Sequence, residues 1–425
     1  MTFSDPAALR ARFPALAGQT IYFENAGGSQ LPDVVIDAMT DYLRHHYVQL
    51  GAGYPASREA TRIVDEAHAF ARRLVGTENG HAILGASTTI LLRILADCYA
   101  DILPPKSEIV ISEAGHEANI NPWLRLERAG HVIRWWRVDP TREDAPLSSL
   151  DALLNEHTRL VVLPQVSNLL GAVTDVAEVA RRAHRVGARV VVDGVAFAAH
   201  RPVDVTDWDV DWYVFSNYKV YGPHMAVLYG SAAAVAELTG PNHFFIPKEM
   251  VPYKFELGGS NHEGCAGLVA LGRYLNVVAG RPEADPCDRE TVVSAFQRMG
   301  SLELPLQARL ISWLADRPGV RIVGPGTAGP ERVPVISFRV AGRASAEICR
   351  AVDDTGVAIR SGHMYAYRLC QALGIDPADG VVRVSLLHYN TLAEVDRLIE
   401  VLDLSLIHIS EPTRLRRISY AVFCL

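Results

Sequence analysis

Between residue 81 and about 230, short apolar runs alternate with stretches of helical period. HAILGAS, SEIVISEA, HVIRWWRVD, RLVVLPQVS, ARVVVDGVA, DWYVFSN and MAVLYG are each of strand length, rich in Val and Ile, and bounded by turn residues. Between them, TTILLRILADCYADIL and VAEVARRAHRVG place apolar residues at i, i+3 and i+4. Apolar strands alternating with helices predict an α/β unit: a mostly parallel sheet covered by helices on both faces. Residues 235–264 lose this periodicity, contain Gly258-Gly259, and read as a long connection. From 265 to 404 the order changes. Helical segments (GLVALGRYLNVV and the run 291–316) precede short strands (VRIVG, VPVISFRV, GVAIR, VVRVSLL) and a final helix, TLAEVDRLIEVLDL. The expected division is a large domain over 15–264 and a smaller C-terminal α+β domain over 265–404, which residues 1–14 join. Residues 405–425 follow a helix that already reads as complete. They resemble translated adaptor sequence and are set apart as a non-native tail.

Composition narrows the class. A chain of 425 residues that is 49% apolar and 21% charged can bury a large core. No apolar run reaches the 18 residues a membrane helix needs, and the first residues lack a signal-peptide pattern, so a cytoplasmic protein is expected. The net charge of −7 argues against nucleic acid as a partner. Six widely spaced cysteines, with no C-x-x-C pair, favour reduced thiols over a metal site or a disulfide framework. Of 41 basic residues only Lys106, Lys219, Lys248 and Lys254 are lysines. Only Lys219 directly follows a dense apolar run (DWYVFSNYK), where a solubilising purpose is not evident.

Lys219 has company. Asp193 closes the run ARVVVD, and ligands in parallel sheets gather at the carboxyl ends of strands. An amine there can form an imine once its pKa is depressed, and a carboxylate can hold a protonated ring nitrogen. Both are the demands of pyridoxal phosphate (PLP) chemistry. His116 follows one strand in AGHEANINPW and Asn168 follows another in QVSNLLG. Ser87 and Thr88 stand where a strand meets a helix, a natural phosphate seat, and Ser216 adds a hydroxyl. Singly these are weak signals, since Asp at a strand end often caps and hydroxyls before helices are usually N-caps. Together, at successive strand ends, they converge.

The blocks IYFENAGGSQLP, GHEANINPW, QVSNLLGAVTDV, VVDGVAFAAHRPVDV, SNYKVYGPH and VVRVSLLHYNT resemble the class V aminotransferases, in particular the cysteine desulfurase-like and selenocysteine lyase-like group, over roughly residues 15–404. The resemblance implies a PLP-dependent transferase of fold type I that acts as a homodimer on a small amino acid. By that resemblance Lys219 binds PLP as an imine, Asp193 pairs with the pyridine nitrogen, His116 stacks on the ring, and Asn168 lies beside the ring oxygen. Ser87, Thr88 and Ser216 are implied phosphate ligands, and Gly259 stands where relatives place a threonine that reaches the neighbouring subunit's phosphate. Arg383 is implied to grip the substrate carboxylate, with Arg360 and Asn25 in the same pocket. In the block IRSGHMYAYRLC, Tyr365 replaces the cysteine that becomes a persulfide, and a phenol cannot carry one. Cys370 lies five residues on as a candidate substitute, and Ala196 replaces a glutamine near the cofactor. These departures leave three readings: C–S lyase or desulfurase-like chemistry with an unidentified sulfur acceptor, an aminotransferase or amino-acid epimerase, or a PLP-less binding protein.

Overall fold

The computed structural model describes residues 5–407. A two-residue strand, β1 (Ile21–Tyr22), precedes the long helices Asp33–His45 and Pro55–Val75. The main sheet then follows as β2 (His81–Gly85), β3 (Glu108–Ser112), β4 (Val132–Trp136), β5 (Thr158–Pro164), β6 (Arg189–Asp193), β7 (Trp212–Ser216) and β8 (Ala226–Gly230). Its order is β2-β8-β7-β6-β5-β3-β4. Neighbours from β7 to β4 pair in parallel. Only β8 runs antiparallel, between β2 and β7, so β2 points the same way as the rest. The carboxyl ends of β2, β3, β5, β6 and β7 therefore share one edge.

The inner strands β3, β5, β6, β7 and β8 carry no exposed polar face because both sides are covered, whereas the edge strand β4 exposes Val132 and Arg134. Val110, Val161, Val190, Val192 and Tyr213 enter one core with the helices Pro55–Val75, Val176–His184 and His262–Val278. The alternate positions Ile109, Ile111, Leu160, Val162, Val191 and Val214 enter another with the helix Thr88–Ile102. Gly194 lets the backbone pass tightly here: a Cβ would lie 2.0 Å from the Tyr213 ring, whose hydroxyl donates to Gln165 Oε1 at 2.6 Å. We expect Gly194→Ala to lower stability by about 1–3 kcal/mol through overpacking, read from the urea midpoint.

The second sheet comprises β9 (Val320–Val323), β10 (Val335–Val340), β12 (Arg360–Gly362) and β13 (Val381–Ser385), antiparallel in the order β12-β13-β10-β9; β11 (Val357–Ala358) pairs instead with β1. The segment GVAIR, expected as one strand, thus splits at Ile359 because its two halves find different partners. Helices Arg289–Ala315, Ser345–Asp353 and Leu392–Ile407 cover this sheet through Leu310, Ile348 and Leu398.

The expected boundary at 264/265 meets a different packing. Helix His262–Val278 lies against helices Asp33–His45 and Pro55–Val75, and the crossing to the second sheet occurs within Arg289–Ala315. Val292 and Phe296 of that helix enter the first core, while Leu306 and Leu310 enter the core of the second sheet. Leu9 and Phe13, grouped with the small domain from sequence, are buried in the first core. The last helix runs to Ile407, beyond the 404/405 limit, and 408–425 of the expected tail lie outside the described residues. Among the described residues no helix is long and apolar enough to cross a membrane.

Candidate active site

At the shared carboxyl edge, a cleft of about 470 Å³ is lined by Thr88, Thr89, His116, Asn168, Asp193, Ser216, Tyr218 and Lys219, among others. They come from the carboxyl ends of β2, β3, β5, β6 and β7 or from the segments that directly follow them, which is why residues 131 positions apart meet (219 − 88 = 131). A larger groove at the opposite edge, around Gly80, Arg189, Asp211 and Tyr229, is ringed by charges already paired with one another, such as Arg189 with Asp211. None of the predicted site residues lines it.

The electrostatics of the cleft are set by burial. Asp193 is buried, and its Oδ1 accepts the Val195 amide at 2.9 Å. Burial raises its carboxyl to about 6, against the opposing pull of that hydrogen bond and of Lys219. Lys219 is lowered to about 8 by burial and then by Arg383, with Asp193 and Glu24 opposing. His116 is lowered to about 4 by burial, Lys219 and Arg383, so its imidazole is neutral. Its Nδ1 accepts the Ala118 amide at 3.0 Å, which leaves the proton on Nε2.

Hydroxyls and amides complete the lining. Thr88 Oγ1 and Ser216 Oγ are 2.7 Å apart at the amino end of helix Thr88–Ile102. Ser87 instead caps that helix by accepting from the Ile90 amide at 3.3 Å, and Thr89 lines the cleft. Asn168 Nδ2 donates to the Met364 carbonyl at 2.7 Å, while its buried Oδ1 has no partner. Arg383 is buried in β13; its Nη1 donates to the Asn168 carbonyl at 3.2 Å, and its Nε has no partner.

Other predicted residues lie at the rim or away from the cleft. Tyr365 is 64% exposed and stacks on His116, with ring centroids 5.0 Å apart. Its turn is pinned: the Glu117 amide donates to the Tyr365 carbonyl at 2.9 Å, and Met364 and Tyr365 both hold positive φ. Gly380 permits this turn, because a Cβ there would meet the Gly362 backbone at 2.0 Å. Arg360 sits opposite Arg383 across the β12–β13 pair and forms an ion pair with Glu24. Asn25 does not line the cleft. Its Nδ2 donates to the Ser385 carbonyl at 2.8 Å and its Oδ1 accepts from the Tyr389 hydroxyl at 2.6 Å, tying the chain's start to its end. Gly259 is exposed, with open space around it. The neighbouring Ser260 donates to Glu256 at 3.1 Å. Cys370 is wholly buried in helix Tyr367–Ala372.

Sequence reasoning missed Glu24 and Tyr218. Glu24 pairs with Arg360 and its charge also favours the cationic forms of Lys219 and Arg383; its place in the quoted block IYFENAGG was the available signal. Tyr218 adjoins Lys219, whose Nζ lies 5.8 Å from the Tyr218 ring centre.

A lysine with a depressed pKa, a buried carboxylate with a raised one, and paired hydroxyls at a helix amino end suit a molecule with an aldehyde, a ring cation and a phosphate. The unpartnered Asn168 Oδ1 and Arg383 Nε fit the same requirement, since buried polar groups normally find partners. Fold and cleft together define a PLP-dependent enzyme of fold type I. The sequence profile described as aminotransferase class-V matches residues 21–398, and the chain belongs to this family. It is 37% identical to the aminotransferase-like protein FGM3 of Gibberella zeae over 94% of this chain and 98% of that protein. It is 34% identical to a cysteine desulfurase of Dickeya dadantii over 92% and 94%. The apo structure of a cysteine desulfurase from Thermococcus onnurineus NA1 superposes with a TM-score of 0.83 at 26% identity, covering 96% of this chain and all of that one. This is a class V PLP enzyme of cysteine desulfurase type, and the PLP-less binding reading is overturned.

The depressed amine makes a kinetic prediction. Capture of PLP by the apoprotein requires the neutral amine, so its rate is expected to climb through about pH 8 rather than the ordinary 10.5. A stopped-flow pH series following the cofactor band would check this.

Proposed function

We propose that this enzyme acts on a small amino acid by lyase-type chemistry without an enzyme-bound persulfide, Lys219 serving as the PLP-binding amine. The observation that carries this reading is the thiol inventory around the cleft. By the resemblance of the block IRSGHMYAYRLC, Tyr365 stands where desulfurases carry the persulfide cysteine. Among the described residues Cys98, Cys265, Cys349 and Cys370 are buried and Cys287 half-buried. Burial pushes the Cys370 thiol to about 11 and the Cys349 thiol to about 11, against the low pKa and access that a sulfur nucleophile needs.

The roles follow from the geometry. Asp193 would hold the protonated pyridine nitrogen, Thr88 and Ser216 with the helix amides the phosphate, and His116 the ring face. When bound, PLP supplies an electron-withdrawing ring that acidifies the Cα–H bond of an amino acid joined to it. Arg383, whose buried Nε has no partner, would receive the α-carboxylate and so orient Cα towards Lys219. Lys219 would take the Cα proton as general base. Where the β-carbon bears sulfur, the thiolate then leaves that carbon directly, with no covalent stop on the protein. As in its relatives, a homodimer in which the Gly258-Gly259 segment faces the other subunit belongs to the same proposal. The stack of Tyr365 on His116 favours a second reading, in which the phenol shapes a pocket for an aminotransferase or an epimerase.

Incubation with cysteine, cystine or selenocysteine tests the first reading. Sulfide from cysteine, selenide from selenocysteine or thiocysteine from cystine should appear while intact-mass spectrometry shows no sulfur added to the protein. None of these products forming, or a persulfide on the wild-type chain, would reject it. Solvent deuterium at Cα with inversion, or conversion of the cofactor to its amine form, would support the second reading. Tyr365→Cys is expected to gain a protein-bound persulfide from cysteine, because the position is exposed, adjoins His363 and overlies His116.

A further inference from the structure

Lys219 and Arg383 come from different sheets, yet the reading above needs their heads a fixed distance apart. Two residues after Lys219, Tyr221 is wholly buried at a φ of 58°, a conformation a tyrosine rarely adopts. Its amide donates to Ser29 Oγ at 2.8 Å, and its hydroxyl donates to the Ala199 carbonyl at 2.8 Å, in the loop that follows Asp193. Five residues after Arg383, His388 is also buried, with its Nδ1 3.1 Å from the Tyr221 hydroxyl. The Tyr274 hydroxyl lies 2.6 Å from His388 Nε2.

Only one proton arrangement satisfies all three rings. The Tyr221 proton is used on Ala199, so the Tyr221 oxygen accepts and His388 Nδ1 must donate. Nε2 is then bare and accepts from Tyr274. A cationic ring could instead donate from both nitrogens, but burial, followed by the neighbouring His200, lowers His388 to about 3, so the imidazole is neutral and this arrangement holds. We propose that the buried pair Tyr221–His388 is a positioning device that fixes the spacing of the Lys219 amine and the Arg383 guanidinium across the two sheets. This rests on the assignment of Arg383 to the substrate carboxylate.

The test is titration of the PLP-loaded protein with L-alanine and with ethylamine, which lacks the carboxylate, following the cofactor absorbance. Wild type should prefer L-alanine. Tyr221→Phe and His388→Leu should weaken L-alanine by about 10- to 100-fold while leaving ethylamine unchanged. His388→Asn, which can keep a donor near the Nδ1 position, should retain most of the preference. Borohydride labelling of Lys219 should persist in all three variants. Equal weakening of both ligands, in step with a lower Tm, would show a merely structural role and overturn the proposal. So would an unchanged ratio in both Tyr221→Phe and His388→Leu. If wild type itself shows no preference, the Arg383 assignment fails and the positioning role falls with it; loss of Lys219 labelling in wild type would instead sink the PLP-lysine assignment.

Discussion

Lys219→Ala is expected to lower turnover of any amino acid the enzyme accepts by more than about 1,000-fold, since in the roles proposed above it removes both the anchor of the cofactor and the general base. The lysine is placed by tertiary structure rather than by its own helix. Strand β7 ends at Ser216, a single turn of 3-10 helix carries Asn217–Lys219, and the Ser29 amide donates to the Tyr218 carbonyl at 3.0 Å. Burial against the core lowers the amine, and Arg383 lowers it further. Borohydride reduction of the loaded wild type followed by peptide mapping should label Lys219 alone, and the variant should take no label. Lys254 is the natural control, because it is buried too. Its ammonium donates to the Val235 and Leu238 carbonyls at 2.8 and 2.7 Å, so it serves the end of a helix rather than the cleft.

Asp193→Asn should separate activity from stability. The amide keeps the shape and can still accept from the Val195 amide, but it loses the charge that holds the ring nitrogen protonated. Turnover is expected to fall about 100-fold or more, as when a preorganised electrostatic partner is removed. In the apoprotein the sign reverses. The folded pKa of Asp193 is raised from 3.8 to about 6, so the native state binds the proton more tightly than the unfolded chain does. Stability therefore falls as pH rises from about 4 to 6, and the full penalty of the buried charge persists above that window. The apo variant should be more stable than the apo wild type at neutral pH, by up to about 3 kcal/mol, and should lose the pH dependence between 4 and 6. Denaturant titrations of both apoproteins at two pH values would show it. A less stable neutral-pH variant would mean that Asp193 is held by a cation already present in the apo cleft.

Much of the architecture was legible because each strand is a closed apolar run ended by its own turn residues. All seven main-sheet strands fall where Val- and Ile-rich segments stood, and the helix Thr88–Ile102 begins at the expected strand-to-helix junction, with Ser87 as its cap. The direction of β8 was not legible. An antiparallel strand buried on both faces has the same composition as a parallel one, and only pairing distinguishes them. The domain boundary escaped for a related reason. Helix Arg289–Ala315 has a single amphipathic sequence but serves two cores along its length, and periodicity does not say which partner a turn will meet.

The local code of the chain thus determined which residues end strands, and so which chemistry gathers at one edge: Lys219, Asp193, His116, Thr88 and Ser216. It also carried, through Tyr365, the proposal that the usual sulfur nucleophile is missing. What each hydroxyl, amide and thiol does was decided by the tertiary structure. Ser87 spends its oxygen on a helix cap, Asn25 its amide on the chain's end, and Cys370 is sealed in a helix. The reason is that proton affinity and hydrogen-bond capacity depend on what surrounds a group in space, and neighbours in space are set by packing between segments far apart in sequence.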